Sequence, residues 1–408
     1  MGSWGGENGY PRTGCFHGGR MLYGSNYEWP RKIWGSVTRE YDDFTEGTED
    51  DDAYTFEAAD IDIIKWIKAT RRLCIGGASD EATATGPNNT LITPTDPPVI
   101  NGETPHGSSS LVGILKIGKA IMFLQKSGKK IREFTYSYVD DAYSAPDITQ
   151  LAEHLFQSGI VAMAYQEEPN SIIWAVTSTG VLLGCTYDRA QDVVGWHQHT
   201  TDGEFESVAV IPYQNQDQVW VIVKREIDGN VKRYVEYLDP NINVDCGLTY
   251  SGAPIRTLAG LTHLEGKTVK IVGDGAVYLD DIVADGTVTI DEPYPAPSEI
   301  YVGLSFTPTL ITNRPEVNIA GTSQGLKKKW NRVIIRMLET MGLAVNGNII
   351  IPARMGGMDM DAAPTPFSGD KPVTCSGWGS DARITIQQLL PLKASITCIT
   401  GSLSIGDD

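Results

Sequence analysis

Ile160-Val-Ala-Met-Ala-Tyr165, Ile172-Ile-Trp-Ala-Val-Thr177, Val181-Leu-Leu-Gly-Cys-Thr-Tyr187 and Val193-Val-Gly-Trp-His-Gln-His199 are four short runs rich in β-branched, aromatic and small residues. They are separated by Glu167-Glu-Pro-Asn-Ser171, Ser178-Thr-Gly180 and Asp188-Arg-Ala-Gln-Asp192, which carry turn-forming residues. Apolar runs of this length bounded by Gly, Pro, Asn and Asp read as strands joined by tight turns. Residues 160–199 therefore predict one four-stranded antiparallel sheet, the size of a β-propeller blade.

The same pattern recurs on both sides. Arg20-Met-Leu-Tyr-Gly24, Arg72-Leu-Cys-Ile-Gly76, Ala120-Ile-Met-Phe-Leu124, Ile172-Ile-Trp-Ala-Val176 and Gln218-Val-Trp-Val-Ile222 are equivalent strands, and their anchors Leu22, Leu73, Ile121, Ile173 and Val219 are spaced by 51, 48, 52 and 46 residues. A period of this length is the signature of stacked blades. Ser127-Gly128, Thr179-Gly180 and Asp228-Gly229 follow three of the anchors, and glycine there supplies the positive φ of a two-residue hairpin. The alternating runs Lys130–Tyr136, Val181–Tyr187 and Val231–Tyr237 come next, and their period of two predicts one buried and one solvated face. Polar stretches at Thr45–Asp52, Gly86–Ser110 and Tyr138–Asp147 read as loops or insertions.

The period stops at Asp239-Pro240. Thr268–Val272, Ala276–Val283, Gly286–Ile290 and Glu299–Phe306 predict further strands, with Asp274-Gly275 and Asp285-Gly286 at hairpins. Trp330–Met337, Arg383–Leu389 and Ala394–Ile399 are again strand-like, and the alternation after Lys327-Lys-Lys329 favours strand over helix there. The expected class is all-β: β-propeller blades with appended small β-barrel or sandwich modules. Residues 1–240 form about five blade-like repeats of a ring that need not be complete, 241–315 a small β module, and 316–408 a C-terminal β region completing the body or making tail-tip contacts.

Composition narrows the function. With 408 residues and 41% hydrophobic content the chain can bury a sizeable core. The net charge of −18 argues against a protein that grips the phosphate backbone, which needs clustered cations, but not against a wall past which DNA slides. Cys15, Cys74, Cys185, Cys246, Cys375 and Cys398 lack metal-ligand spacing, and read as buried free thiols of a protein assembled in a reducing cytoplasm. Met1-Gly-Ser-Trp-Gly-Gly6 has no export-signal character, and no apolar run has the length of a membrane span.

Candidate chemistry is thin. His197 and His199 share a strand face, a geometry that can hold a metal, but no third ligand is identifiable beside Trp196. Asp50-Asp51-Asp52, Asp140-Asp141 and Asp280-Asp281 do not fit a calcium loop, and are expected to solvate loops. Gly273-Asp-Gly275 reads as a turn, and Lys327-Lys-Lys329 as a basic island facing water or touching DNA or a partner's acidic rim. Trp174 and Trp220 occupy matching positions in two apolar strands and are expected in the core rather than in a sugar platform. No nucleophile elbow or paired-carboxylate signature is visible. No catalytic, cofactor-binding or metal residue is expected, and no cofactor.

Two longer stretches carry a resemblance. The first contains Phe16-His-Gly-Gly-Arg-Met-Leu-Tyr-Gly24, Pro30-Arg-Lys-Ile-Trp-Gly-Ser36 and Asp43-Phe44. The second contains Pro146–His154, Met163-Ala-Tyr-Gln-Glu-Glu-Pro169, Gly184-Cys-Thr-Tyr-Asp-Arg189, Val194-Gly-Trp-His197, Glu206–Pro212 and Tyr234–Pro240. In order and spacing they resemble the tail nozzle, or "stabilization", proteins of short-tailed bacteriophages. Leu261–Phe306 resembles the small β module of that family that shares its fold, and no chemistry, with a domain of ubiquitin-activating enzymes.

The resemblance implies a structural virion protein, not an enzyme, assembled in the bacterial cytoplasm and located in the virion tail. It further implies a homohexamer forming the distal channel for genome ejection. Portal-adaptor proteins and tail fibres or a tail plug would be its partners, and double-stranded DNA would pass without specific binding and without any membrane span. Family members carry additional N-terminal sequence before Tyr10-Pro11, so strands supplied from elsewhere are expected to complete the ring. The alternative from another class is a propeller-type module of the tail that binds or degrades host polysaccharide.

Overall fold

The computed structural model describes residues 4–227, 229–317, 322–350, 365–375 and 377–406. Asp228 of the expected Asp228-Gly229 turn and Met1–Ser3 of the N-terminal stretch lie outside them. The described chain is almost entirely β, with helix confined to short 3-10 turns. It divides into one compact unit running to Arg225 and rejoined by Arg233–Leu238, and another made of residues 226–232 and Asp239 onward.

The first unit is a series of antiparallel meanders. Sheet one contains β1 (Thr13–His17), β2 (Arg20–Gly24), β3 (Lys32–Gly35) and β4 (Tyr54–Glu57). Sheet two contains β5 (Ile64–Ala69), β6 (Leu73–Gly77), β7 (Glu81–Thr85) and β8 (Val99–Thr104). In sheet three are β9 (Leu115–Ile117), β10 (Ala120–Leu124), β11 (Ile131–Ser137) and β12 (Ala142–Ser144). Sheet four holds β13 (Ile160–Gln166), β14 (Ile172–Thr177), β15 (Leu182–Asp188) and β16 (Val193–His199). Sheet five has three strands, β17 (Glu204–Tyr213), β18 (Gln216–Ile227) and β19 (Asn230–Tyr237), of which residues 226–232 at the β18–β19 turn group with the other unit.

Successive sheets stack face to face. One apolar cluster joins sheets one and two through Leu22, Ile33, Ile67 and Ile75, and another joins two and three through Trp66, Cys74, Phe123 and Phe134. Sheets three and four share Met122, Ile131, Ile173 and Leu183, and sheets four and five share Trp174, Val176, Val219 and Val221. First strands of neighbouring sheets touch, β1 with β5, β9 with β13 and β13 with β17. This is the blade arrangement of a β-propeller.

All five anchors fall on the second strand of a sheet and are buried. In sheets two to five the anchor faces the preceding sheet, and in sheets two to four the next residue faces the following one, as Ile173 and Trp174 do. Leu22 is out of phase and faces sheet two, because a one-residue slip moves a side chain to the opposite face of a strand. Stacking on both faces also explains why β15 is buried almost throughout its first half and lacks the expected solvated face. At the hairpins Gly128, Gly180 and Gly229 all have positive φ (74°, 78° and 69°). Gly180 is doubly constrained, since a Cβ there would lie 2.8 Å from the Glu204 backbone.

The polar excursions are more ordered than expected. Gly86–Ser110 contains β8, and Tyr138–Asp147 contains β12, each the outer strand of its sheet. Thr45–Asp52 is held by the buried Arg20, whose guanidinium donates to the carbonyls of Ser36 (2.5 Å), Asp52 (2.6 Å) and Asp50 and lies over the Tyr54 ring. Ser36 Oγ in turn accepts from Met21 N at 3.0 Å. Arg20, from the quoted element Phe16–Gly24, and Ser36, from Pro30–Ser36, thus tie the first quoted stretch to the acidic loop.

In the second unit, β20 (Asp245–Ser251), β22 (Thr268–Gly273) and β26 (Glu299–Leu304) form one sheet with the short β23 (Ala276–Val277) and β24 (Asp281–Ile282), beside the pair β21 (Thr257–Ala259) and β25 (Thr287–Thr289). The expected strand Ala276–Val283 is thus two short ones. They enclose a core around Leu261, Ile271, Val288 and Val302. A further sheet contains β27 (Thr309–Ile311), β29 (Leu343–Val345), β30 (Asn348–Ile350) and β32 (Thr385–Gln387). The long β28 (Lys327–Thr340) lies between β31 (Phe367–Val373) and β33 (Ile396–Gly406). Strand β27, on the near side of the expected boundary at 315, pairs with β32.

Candidate functional site

The sequence-derived candidates turn out to be structural. His197 and His199 do share a face, with ring centroids 5.0 Å apart, and both pack against Trp174. His197 fits because the residue opposite it is Gly184, where a Cβ would come within 2.3 Å of the imidazole. Burial, aided by the neighbouring His197, lowers the His199 pKa to about 4, and its Nε2 is buried with no hydrogen-bond partner. The pair is an aromatic cover for Trp174. Among the described residues no group of three or more His, Cys, Asp or Glu is placed to hold a metal ion.

That shift fixes a pH dependence. In the unfolded chain the imidazole takes its proton near pH 6.5, whereas in the folded protein it does so only near pH 4. The contribution is complete above pH 6.5 and is lost as pH falls from 6.5 towards 4, by up to about 3 kcal/mol. Urea titrations at pH 7 and pH 4.5 should show this loss in the native protein and a flatter response in His199→Phe. An equally steep acid limb in the variant would contradict it.

The acidic clusters shape turns instead of merely solvating loops. Asp50 Oδ1 accepts from Thr93 and Thr95, and Asp140 from Ser137 Oγ at 2.7 Å. Asp280 pairs with Lys270 at 2.7 Å, and Asp281 accepts from Ile282 N and Thr289 N. Asp274 accepts from Ser298 N, Ser298 Oγ and Glu299 N, which lowers its pKa and makes Gly273-Asp-Gly275 a turn. The basic island is not wholly solvated, because the Lys328 side chain is buried 3.8 Å from Glu316. All six cysteines are free thiols, but Cys246 is only half-buried and Cys398 is exposed.

The two tryptophans part company. Trp174 is 4% exposed in the core between sheets four and five and donates to Gln166 Oε1 at 3.0 Å. Trp220 lies at the equivalent position of β18, on the face of sheet five pointing away from sheet four, and is half-buried against Tyr237 at 5.2 Å. Ile211, Ile222, Val231, Val235 and Tyr237 are exposed, Val235 at 68%. Among the described residues no core cluster joins sheet five to sheet one. The expectation that both indoles are core holds for Trp174 alone.

A cavity of about 450 Å³ lies at the ends of the first strands of the first three sheets. Its wall includes Cys15, Phe16 and His17 from β1, Lys68 and Thr70 at the end of β5, and Lys116 from β9. Burial pushes the Cys15 thiol up to about 12, against the weaker opposing pull of Lys68 and Lys116, so it stays protonated at neutral pH and is a poor nucleophile. Burial also lowers the His17 pKa. Sequence reasoning missed this site, yet a signal was present. His17, Lys68 and Lys116 each stand five residues before the anchors Leu22, Leu73 and Ile121, one cation-forming residue at the same place in three successive repeats.

No protein-family model and no curated protein matches the chain. Solved structures similar to it include the Pan2 WD40 domain of Neurospora crassa, at 13% identity over 42% of this chain and 49% of that one, with a TM-score of 0.25. Others are the exo-β-1,3-galactanase of Phanerochaete chrysosporium, as a variant with β-1,3-galactotriose (9% identity, 95% and 94% of the two chains, TM-score 0.28) and with galactose (10%, the same coverage, 0.27). All-β architecture built from propeller blades is the class expected from the sequence.

The expectation that the chain is not an enzyme is corrected by these matches, since structures similar over nearly its whole length include a glycoside hydrolase. At 9–10% identity and TM-scores of 0.27–0.28 they identify no activity and no active site. No helix of the described residues is long and apolar enough to cross a membrane.

Proposed function

We propose that the chain is a β-propeller subunit of a short-tailed phage tail, a nozzle or tube component located in the virion, that works by assembling around the path of the genome. The observation that carries the reading is the uncovered outer face of sheet five. Each of the first four sheets buries its anchor or the residue after it against the next sheet, whereas on sheet five Ile222, Val235 and Tyr237 are exposed and Trp220 is half-buried. An exposed sheet face that carries several large apolar side chains, interrupted by the Lys224–Glu204 and Arg233–Glu206 ion pairs, suits a protein contact with an apolar centre and polar groups among it. The motifs around Pro30–Ser36 and Met163–Pro240 support the tail assignment, with copies of the chain, portal-adaptor proteins and fibres or a plug as partners. The net charge of −18 suits a wall that does not retain DNA.

Sedimentation of the pure protein tests the assembly. The native chain should form a ring, six copies by the resemblance, and Trp220→Glu with Val235→Glu should reduce it to monomer with little change in melting temperature. A native chain that stays monomeric under conditions where tails assemble would contradict the reading.

The cavity favours a second reading, a propeller that binds or cleaves host polysaccharide. Phe16 is an exposed ring at its wall, backed by Tyr41 at 5.0 Å, and aromatic faces are common saccharide platforms. Retention on, or hydrolysis of, host polysaccharide and β-1,3-galactan separates this reading from the first.

A further inference from the structure

The lining of the cavity is chemically one-sided. Lys68 and Lys116 are its charged side chains, with His17 beside them, the Thr70 hydroxyl donates to the Arg72 carbonyl at 3.2 Å, and no carboxylate is in its wall. Among the described residues neither lysine forms an ion pair, although the chain carries 51 acidic side chains against 33 basic ones. Both ammonium groups nevertheless act on one atom, the Cys15 thiol, so their fields converge in the same space. A concave site lined by one sign of charge concentrates ligands of the other. Its volume of about 450 Å³ is that of a small-molecule site.

We propose that this cavity binds a small ligand bearing an oxyanion, a phosphoryl group or a sugar carboxylate, held by Lys68 and Lys116. Lysine recognises such groups as a point charge and does not require the planar fork of arginine. The Phe16 ring at the wall gives an apolar surface for the rest of the ligand, and Cys15 makes no covalent bond to it. The proposal stands independently of the tail reading, because the three strands that build the site belong to sheets one to three and the uncovered face belongs to sheet five.

Calorimetric titration of the full chain with inorganic phosphate, D-glucuronate and D-galactose at matched ionic strength tests it. Saturable binding of phosphate or of glucuronate is expected, whichever binds tighter naming the source of the oxyanion. Lys68→Gln with Lys116→Gln should weaken it about tenfold or more, and Lys68→Arg with Lys116→Arg should largely retain it. Should the double variant unfold, Lys116→Gln alone, at an exposed position, should still weaken binding severalfold. Absence of saturable binding by both anions, or unchanged affinity in a folded glutamine variant, overturns the proposal. Binding of galactose alone overturns it too, while leaving the polysaccharide reading intact.

Discussion

Replacing Arg225 with alanine should lower unfolding free energy by about 3–5 kcal/mol, the cost of removing one partner from a buried ion pair. The side chain is 1% exposed and its guanidinium forms a bidentate pair with Glu236 at 2.8 and 2.7 Å. It also donates to Thr201 Oγ1 at 2.6 Å and the Asp202 carbonyl at 3.0 Å. One side chain thus ties β18 to β19 and to the loop entering sheet five, which has no fourth strand. Truncation empties the buried volume the Arg225 side chain fills and leaves the Glu236 carboxylate, 22% exposed, without its cation. Arg336 makes an equally short bidentate pair with Asp370, but in solvent, so Arg336→Ala should leave the denaturation midpoint nearly unchanged. Comparable losses in the two variants would show that burial is not what makes the Arg225 pair matter.

Trp174→Ala should cost a similar amount, about 3–5 kcal/mol, for a different reason. The indole fills the space between sheets four and five, alongside Val176, Leu182, Phe205, Val208 and Val221. Its loss leaves a cavity that four hydrogen-bonded strands cannot close, and deprives Gln166 Oε1 of its donor. Trp220→Ala removes the same side chain from the open face and should cost far less in the isolated chain. Paired urea titrations check the contrast, and equal losses would mean that the outer face of sheet five is already covered in the monomer.

That contrast also shows where sequence reasoning reaches its limit. Trp174 and Trp220 follow their anchors identically, and nothing local distinguishes them. What separates them is whether another sheet stacks above, a property of the whole ring. The strands of sheet four were legible nearly residue for residue, because the apolar runs are bounded by Pro169, Gly180 and Asp192, which are committed to turns. Strand β8 was not. Val99-Ile-Asn-Gly-Glu-Thr104 is polar and largely exposed, and its pairing with β7 comes from backbone hydrogen bonds that no side-chain pattern reports. The far half of β33, Thr400-Gly-Ser-Leu-Ser404, was hidden in the same way and is ordered by pairing with β28.

The cavity is an intermediate case. His17, Lys68 and Lys116 lie nearly fifty residues apart, so no short motif contains them. Aligning the repeats on their anchors does place them together, but only once the first strands of successive repeats are known to lie beside one another. The buried Glu133 was less accessible still. Burial raises its pKa, and its partner Arg189 at 3.1 Å comes from the neighbouring repeat through a turn whose geometry the sequence does not specify.

Assembly through the fifth sheet is the central claim, and imaging the assembled particle at a resolution that traces strands tests it most directly. The account predicts a closed ring of copies in the tail, with Trp220, Val235 and Tyr237 of every copy buried against a neighbouring sheet. A single copy per tail, or a ring in which that face remains bare to solvent, would contradict it.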